Sequence, residues 1–165
     1  MIHIRPADAG DVPLILSFIR ELAGYEHEPE AVVAAEADLL RDGFGESPVF
    51  RVLIAEYDGI PAGMALFLYN YSTWVGRRGL FVEDLYVRPA LRGKGLGRAL
   101  LARVAQLALE EKCGRLQWCV LDWNQPSINF YQKIGGHMIP EWLNMRIAGE
   151  GIAELAKSWH EPERP

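Results

Sequence analysis

Three alternating glycines between a hydrophobic stretch and an amphipathic segment constrain this chain more than any other feature. Residues 92–97 read RGKGLG, and the hydrophobic residues 80–87 before them are typical of a strand. Glycines let a backbone approach a ligand closely, and the amides of a helix's first turn attract an anion. The spacing matches neither the Walker loop nor the dinucleotide fingerprint GxGxxG. The run alone leaves two interpretations open, an anion cradle or a flexible turn before a helix.

The composition indicates an ordinary globular protein. The chain has 165 residues, of which 50% are hydrophobic and 24% are charged. This length suits one substantial core and is short for two, so we expect a single domain over residues 1–165. Acidic residues outnumber basic ones by 22 to 17. This balance argues against a nucleic-acid partner, which usually meets a basic face, and is compatible with a cationic substrate.

The cysteines and the hydropathy pattern bear on the location of the protein. Cys113 and Cys119 lack the neighbouring ligands of a zinc site, so we expect no metal, and we expect buried free thiols in a reducing compartment. The N-terminus shows no signal-peptide pattern. No stretch approaches the roughly 18 uninterrupted apolar residues of a membrane span. We therefore expect a cytoplasmic protein with no membrane partner.

Hydrophobic periodicity predicts a mixed α/β chain. Three long strands are expected to form an antiparallel meander, with a hairpin turn at Asp58-Gly59. The strand after the glycine run follows a crossover helix, so it should lie parallel to the strand before the run. The predicted elements are strand 2–5, helix 12–22 broken by Gly24, helix 29–41, strands 50–56 and 62–71, a loop at 76–79, strand 80–87, a helix ending near Gly114, strand 116–121, helix 127–134, a closing strand 142–147 and a weak helix 151–159.

Three polar features are predicted to meet at one end of the sheet. The glycine run follows the fourth strand, Asn124 follows the fifth, and Tyr131 lies on the next helix. Neighbouring parallel strands present their carboxyl ends at the same edge, where ligands bind in open α/β sheets. The pattern therefore predicts a shared site.

The motif at 92–97 resembles the [QR]-x-x-G-x-[GA] signature of the GNAT superfamily of acetyl-CoA-dependent N-acetyltransferases. More narrowly, the chain is similar to the spermidine/spermine (diamine) acetyltransferase family, and residues 71–74 and 120–125 resemble its thialysine-associated branch. This resemblance implies the GNAT fold, a mixed, mostly antiparallel sheet of six to seven strands whose fourth and fifth strands are parallel, flanked by about four helices. The other matching pieces are 21–23 with Tyr25 and Glu26, 42–45, Glu83 with Asp84, and 124–131.

The resemblance implies where acetyl-CoA, the co-substrate, would bind. Amides of the glycine run would hold the pyrophosphate, and the end of the preceding strand would pair with the pantetheine arm. Asn124 and the turn after it would flank the far end of the arm and the thioester. The implied cofactor-binding residues are Leu85, Tyr86, Val87, Arg92, Gly93, Lys94, Gly95, Leu96, Gly97, Arg98, Asn124, Gln125, Pro126 and Ser127.

The resemblance also implies catalytic and amine-binding residues. Tyr131 matches the general acid, and Glu83 matches the base or the carboxylate that binds the amine. An alkyl ammonium with a pKa of about 10 must lose a proton before it attacks a thioester, and a phenol suits protonation of the leaving thiolate. The implied amine-binding residues are Tyr25, Glu26, Trp74, Glu83 and Asp84.

Structural interpretations of the same residues stay open. Glu83 could be a strand residue in a surface ion pair, Tyr131 a core aromatic with a surface hydroxyl, and Trp74 rim packing. Arg77 and Arg78 fit a solvated loop, and the four histidines form no cluster.

The sequence therefore predicts an enzyme that transfers an acetyl group from acetyl-CoA to the primary amine of a small molecule. The expected acceptor is lysine-like or a diamine or polyamine, and it attacks directly in a ternary complex. Two alternatives remain, acetylation of a protein lysine or N-terminus and a coenzyme A-binding module without turnover. The resemblance implies a homodimer.

Overall fold

A computed structural model describes residues 1–159, and the chain separates into two compact units, Met1–Asn124 and Gln125–Pro165. The second unit contains α4 (Gln125–Lys133) and α5 (Glu150–Ala156). The first unit contains β1 (Ile2–Pro6), α1 (Val12–Tyr25), α2 (Glu36–Phe44), β2 (Arg51–Tyr57), β3 (Ile60–Ser72), β4 (Arg77–Val87), α3 (Leu96–Glu110) and β5 (Leu116–Trp118).

The strands form one sheet in the order in which they occur along the chain, β1-β2-β3-β4-β5. The first four pair antiparallel, and β5 runs parallel to β4 with Leu80 opposite Leu116. The predicted meander and the predicted parallel pair are both confirmed. The fold is therefore the expected mixed α/β arrangement.

The number of elements differs from the prediction. The described residues form a sheet of five strands rather than six to seven, with five α-helices rather than four. The closing strand expected at 142–147 is wrong, because these residues form no strand. A strand needs a partner edge as well as a suitable sequence, and in the structure Trp142 and Leu143 are 71% and 83% exposed.

Several predicted boundaries move, among them the end of the fifth strand, which lies at Trp118 rather than at residue 121. Helix 29–41 is replaced by a short 3-10 turn, Pro29–Ala31, and by α2, which begins where Asp38 accepts a hydrogen bond from the Ala35 amide. Gly24 does not break α1, which continues to Tyr25. The expected loop at 76–79 is mostly strand, because β4 already begins at Arg77.

Gly79 occupies a crowded position in that stretch. A Cβ on Gly79 would lie 2.5 Å from Oδ1 of Asn70, its cross-strand partner, and 3.0 Å from the Arg115 carbonyl oxygen, so a larger residue would require these neighbours to shift. The cysteines also differ from expectation in part. They were expected to be buried, but Cys119 is exposed and Cys113 is only partly buried.

Hydrophobic side chains pack against both faces of the sheet. On one face, α1 and α2 bury a cluster that includes Phe18, Leu39 and the strand residues Ile54, Met64 and Tyr86. Strand side chains alternate between faces, so residues such as Phe67 and Val82 face the opposite layer. There α3 packs on the sheet and buries Leu100, Leu101 and Val104.

The pairing of β3 with β4 shifts by one residue at Glu83. Leu66 opposes Asp84, whereas Phe67 opposes Val82, so Glu83 is the extra residue of a β-bulge. An extra residue moves the side chains after it to the other face of the sheet. Asp84 therefore shares a face with Leu66, which packs against α1 in the core.

Within residues 1–159, no helix combines the length and the apolar character needed to cross a membrane.

Candidate active site

The glycine run forms a tight loop that leads into α3. Gly93 and Gly95 have φ values of 78° and 90°, in the left-handed region that favours glycine. The first bond of the helix runs from the Ala99 amide to the Gly95 carbonyl at 2.9 Å. The amides of residues 96–98 precede that bond and have no carbonyl four residues back within the helix. The loop therefore presents unpaired amides and a helix N-terminus, an arrangement suited to a phosphate.

Beside this loop, the end of β4 has an open backbone edge. β5 pairs with β4 only over Leu80–Val82, whereas β3 continues to pair with β4 as far as Val87. In the described part of the chain, residues 85–87 thus extend past the last residue of β5. Such an edge can hydrogen-bond an extended, amide-containing ligand as an added strand would. The two features together fit a ligand that has both a phosphate group and an extended arm.

The three predicted amine-binding carboxylates lie near the bulge. Asp84 is partly buried; burial and the nearby negative charges of Glu83 and Glu26 raise its pKa to about 6. Burial also raises the pKa of Glu26, at the end of α1. Glu83 is exposed. The structure places these three carboxylates near one another, and within the strand pair Asp84 is the partly buried member, whereas Glu83 faces solvent.

Tyr25 contacts two residues that the resemblance assigned to the cofactor. Its hydroxyl donates to Oδ1 of the buried Asn124 at 3.1 Å. The guanidinium of Arg92 lies over its ring, 4.4 Å from the centroid, and Nε of Arg92 donates to the Val87 carbonyl at 2.9 Å. A predicted amine-binding residue and two predicted cofactor-binding residues therefore form one connected group.

Two aromatic neighbours of this group were missed by sequence reasoning. The Trp123 ring lies 6.1 Å from Tyr25 and 5.5 Å from His27. Neither residue is among the predicted site residues. Residues almost a hundred positions apart in the chain carry no local signal of such contacts.

A second group, whose contacts were not predicted from the sequence, ties α1 to β4. Arg88 donates to both carboxylate oxygens of Glu21, with a shortest distance of 2.9 Å, and the Tyr86 hydroxyl donates to the same carboxylate at 3.1 Å. The Arg88 guanidinium also lies 4.9 Å from the Phe18 ring centroid. Hydrogen bonding to Arg88 lowers the pKa of Glu21. This group fixes α1 on the strand that carries Asp84.

Other predicted residues lie apart from these groups. Trp74 is in the turn between β3 and β4 and is 87% exposed. From Arg77 to Asp84 the strand rises roughly 20 Å or more at about 3.3 Å per residue. The described chain therefore does not bring its own Trp74 to the three carboxylates. Lys94 turns its ammonium toward the Tyr57 ring, 4.5 Å from the centroid.

In the second unit, α4 carries the remaining predicted residues. Gln125, Pro126 and Ser127 form its first turn, and the Gln125 amide donates to Asn129 at 2.7 Å. Tyr131 is partly buried, and its ring lies 5.3 Å from that of Phe130. α4 ends at Lys133, one residue before the predicted end, and Gly135, with φ 96°, follows shortly after it. Across residues 1–159, no group of three or more histidine, cysteine, aspartate or glutamate side chains is arranged to hold a metal ion.

Known proteins resemble this chain over most of its length. Residues 15–136 match the model of the Acetyltransferase (GNAT) family. A thialysine N-epsilon-acetyltransferase from Sus scrofa is 40% identical over 164 residues, covering 93% of this chain and 96% of the relative. An L-ornithine N5-acetyltransferase from Arabidopsis thaliana is 37% identical over 200 residues, covering 94% of this chain and 88% of the relative.

Among solved structures, an integron cassette protein from the mobile metagenome of V. cholerae superposes with a TM-score of 0.79. It is 29% identical, and the match covers 95% of this chain and 98% of that one. The family model, the curated relatives and this structure agree with the resemblance carried by the glycine run. The chain therefore belongs to the GNAT acetyltransferase family, on the branch of the thialysine and diamine enzymes.

Proposed function

We propose that this protein transfers the acetyl group of acetyl-CoA to the primary amine of a small molecule, a diamino acid or a diamine. The single observation that carries the proposal is the carboxylate group of Glu26, Glu83 and Asp84 beside the open end of β4. Two relatives are named for thialysine and L-ornithine, and both of these acceptors carry an amine on an amino-acid side chain. Clustered carboxylates suit the ammonium that such an acceptor presents at neutral pH.

The described residues fit acetyl-CoA, which supplies the acetyl thioester. The amides of residues 96–98 would hold its pyrophosphate, and the backbone of residues 85–87 would bind its pantetheine arm. Asn124 and residues 125–127 are proposed cofactor contacts from the family resemblance. The Arg92 side chain contacts the Val87 carbonyl and the Tyr25 ring, so we propose that it contributes to the cofactor site by holding the glycine loop in shape.

The carboxylates would bind the amine and take its proton. Glu26 and Asp84 attract the ammonium, and Asp84 is ionised at neutral pH yet more basic than an ordinary aspartate. A base of raised pKa accepts a proton from the bound ammonium more readily. The exposed Glu83 can then pass the proton to water. Tyr131 is the proposed acid that protonates the departing thiolate, a role that rests on the resemblance.

A thiol-release assay tests the proposal. Purified protein and acetyl-CoA are mixed with thialysine, lysine, ornithine, putrescine or spermidine, and the free thiol is measured. We expect turnover with at least one diamino acid or diamine, and slower turnover with the long polycation spermidine. Turnover on a lysine-containing peptide with none on the small amines would contradict the proposal. Tight acetyl-CoA binding without amine-dependent release would instead favour a binding module.

The role of Tyr131 is tested by Tyr131→Phe. We expect kcat to fall about 100-fold or more, because general acid catalysis contributes about 10²–10⁴-fold. The dissociation constant for acetyl-CoA, measured by calorimetry, should stay unchanged. An unchanged kcat would remove Tyr131 as the acid.

From the resemblance we also propose that the chain is a single catalytic domain acting as a cytoplasmic homodimer. The family match at 15–136 spans both compact units, which supports the single domain. Exposed apolar side chains at Trp142, Leu143 and Met145 offer surface that a second copy could cover. Light scattering should give twice the 18.5 kDa mass of one chain, and a monomer would contradict the dimer.

A further inference from the structure

Tyr25 lies where three segments of the first unit meet. It is the last residue of α1, so Glu26 follows it directly. Its ring lies beneath Arg92 of the glycine loop, and its hydroxyl binds Asn124 in the segment after β5. These contacts reach 67 and 99 positions along the chain from Tyr25 (92 − 25 and 124 − 25).

The contact with Arg92 joins Tyr25 to the glycine loop. Nε of Arg92 donates to the Val87 carbonyl at the end of β4, which fixes the guanidinium from one side. The Tyr25 ring covers it from the other, at 4.4 Å from the centroid. A guanidinium is attracted to the face of an aromatic ring. Arg92 therefore connects the start of the loop, the end of β4 and α1.

In the contact with Asn124, the Tyr25 hydroxyl is the hydrogen-bond donor. Asn124 is 6% exposed, and a buried amide oxygen needs a donor. The Tyr25 hydroxyl supplies one at 3.1 Å. A phenol has a single O–H, so this hydrogen is committed to Asn124 and is not available to a substrate at the same time.

We propose that Tyr25 is a positioning residue that links the acetyl-CoA loop to the amine site, through Arg92 and Asn124. In this role it holds the last turn of α1, and with it Glu26, beside Asp84. The inference rests on the proposed function and replaces the direct contact with the amine that the family resemblance implied for Tyr25. Its consequence is that a change at Tyr25 alters cofactor binding and amine binding together, whereas an amine ligand would alter only the second.

The test compares Tyr25→Phe with wild type in two measurements. Calorimetry on the full chain without amine gives the dissociation constant for acetyl-CoA, and steady-state kinetics give the KM for the amine at saturating acetyl-CoA. Tyr25→Phe keeps the ring over which Arg92 lies and removes only the hydrogen bond to Asn124. We expect both constants to rise, each by about three- to tenfold, the usual effect of one lost hydrogen bond.

Three further variants separate the explanations. Glu26→Gln should raise the amine KM and leave the acetyl-CoA constant unchanged. Arg103→Ala, which removes an ion pair with Glu110 at the surface of α3, should change neither. In an Asn124→Ala background, Tyr25→Phe should add no further change, because its partner is already gone.

The outcomes are decisive in both directions. A rise in the amine KM alone would show that Tyr25 touches the amine and would overturn the proposal, as would no change in either constant. Arg92→Lys offers a second route, since lysine keeps the charge but loses the planar stack and the Nε donor. This substitution should also weaken the binding of both acetyl-CoA and the amine. Binding of acetyl-CoA needs no turnover, so the link to the loop can be measured even if every tested amine fails as an acceptor.

Discussion

Asp84 owes its position to one extra residue in the strand. Without the bulge at Glu83, regular alternation would place Asp84 on the side of the sheet that α3 covers. With it, Asp84 lies beneath α1, where burial and the charges of Glu83 and Glu26 raise its pKa to about 6. The sequence shows the pair Glu83-Asp84 but not which member is buried, because the bulge depends on the pairing with β3.

The pH profile of the enzyme should show the ionisation of Asp84. If Asp84 takes the proton of the amine, kcat/KM for the amine falls as pH drops through about 6, where Asp84 becomes protonated. In Asp84→Asn this acid limb should disappear and the rate should drop at least about 100-fold. In Glu83→Gln the acid limb should remain but shift to lower pH, since loss of the neighbouring negative charge lowers the pKa of Asp84. Rates measured from pH 5 to pH 9 check this; a limb unchanged in Asp84→Asn would contradict it.

The same carboxyl should reduce the stability of the folded protein at neutral pH. Its pKa is higher in the folded chain than in the unfolded chain, so the folded state binds its proton more tightly and stability falls as pH rises toward and through about 6. A shift from 3.8 to about 6 corresponds to a cost of up to about 3 kcal/mol above that pH. Asp84→Asn should therefore raise the free energy of unfolding in urea at pH 8 and change it little at pH 4. Equal effects at both pH values would contradict the assignment.

At the scale of elements, the strand–loop–α3 segment was predictable because its signals are local. A run of hydrophobic residues, three alternating glycines and the apolar stripe of a helix all lie within residues 80–110. The segment 142–147 shows the limit of the same reasoning. Its apolar residues suit a strand, but no neighbouring edge pairs with it in the described chain. Helix 29–41 failed for a different reason, since the helix start at Ala35 depends on the side chain of Asp38.

Gly95→Ala tests the glycine loop against a matched control. Gly95 and Gly59, the latter in the β2–β3 turn, have φ values of 90° and 79°, and alanine is strained by about 1–2 kcal/mol in this region. Both variants should lose about that much stability in thermal or urea unfolding. Only Gly95→Ala should also weaken acetyl-CoA binding measured by calorimetry. Equal loss of cofactor affinity in both variants would argue against the loop as the phosphate site.

At the scale of the whole molecule, charged groups join segments that are distant in the chain. Arg5 of β1 donates to both oxygens of Asp11 at 2.7 and 2.8 Å and to Glu56 of β2 at 2.8 Å. Hydrogen bonding to Arg5 lowers the pKa of Asp11 and of Glu56. The fold class, the meander and the parallel β4–β5 pair followed from the sequence, whereas these long-range pairs did not, since no local pattern specifies them.

Arg5→Met should reveal the contribution of this group. A lowered pKa stabilises the folded state above the ordinary pKa of 3.8 for Asp11, and the contribution is lost as pH falls through the folded value. The variant should lose about 1–3 kcal/mol at pH 7 and less at pH 3, which lies below the ordinary pKa of Asp11. Arg103→Met, which breaks an exposed pair with Glu110, should cost under about 1 kcal/mol. Urea unfolding at both pH values provides the comparison, and a loss at pH 3 as large as that at pH 7 would contradict the assignment.

The sequential order of the sheet has a consequence for biosynthesis. Each strand pairs with the one made just before it, so the sheet needs no strand that the ribosome has yet to supply. Once Trp118 has emerged, all five strands are present, and so are the glycine loop and Asp84. Nascent chains fold from the N-terminus as they emerge. The proposed cofactor cradle can therefore assemble during translation, before α4 and the proposed acid Tyr131 have emerged from the ribosome.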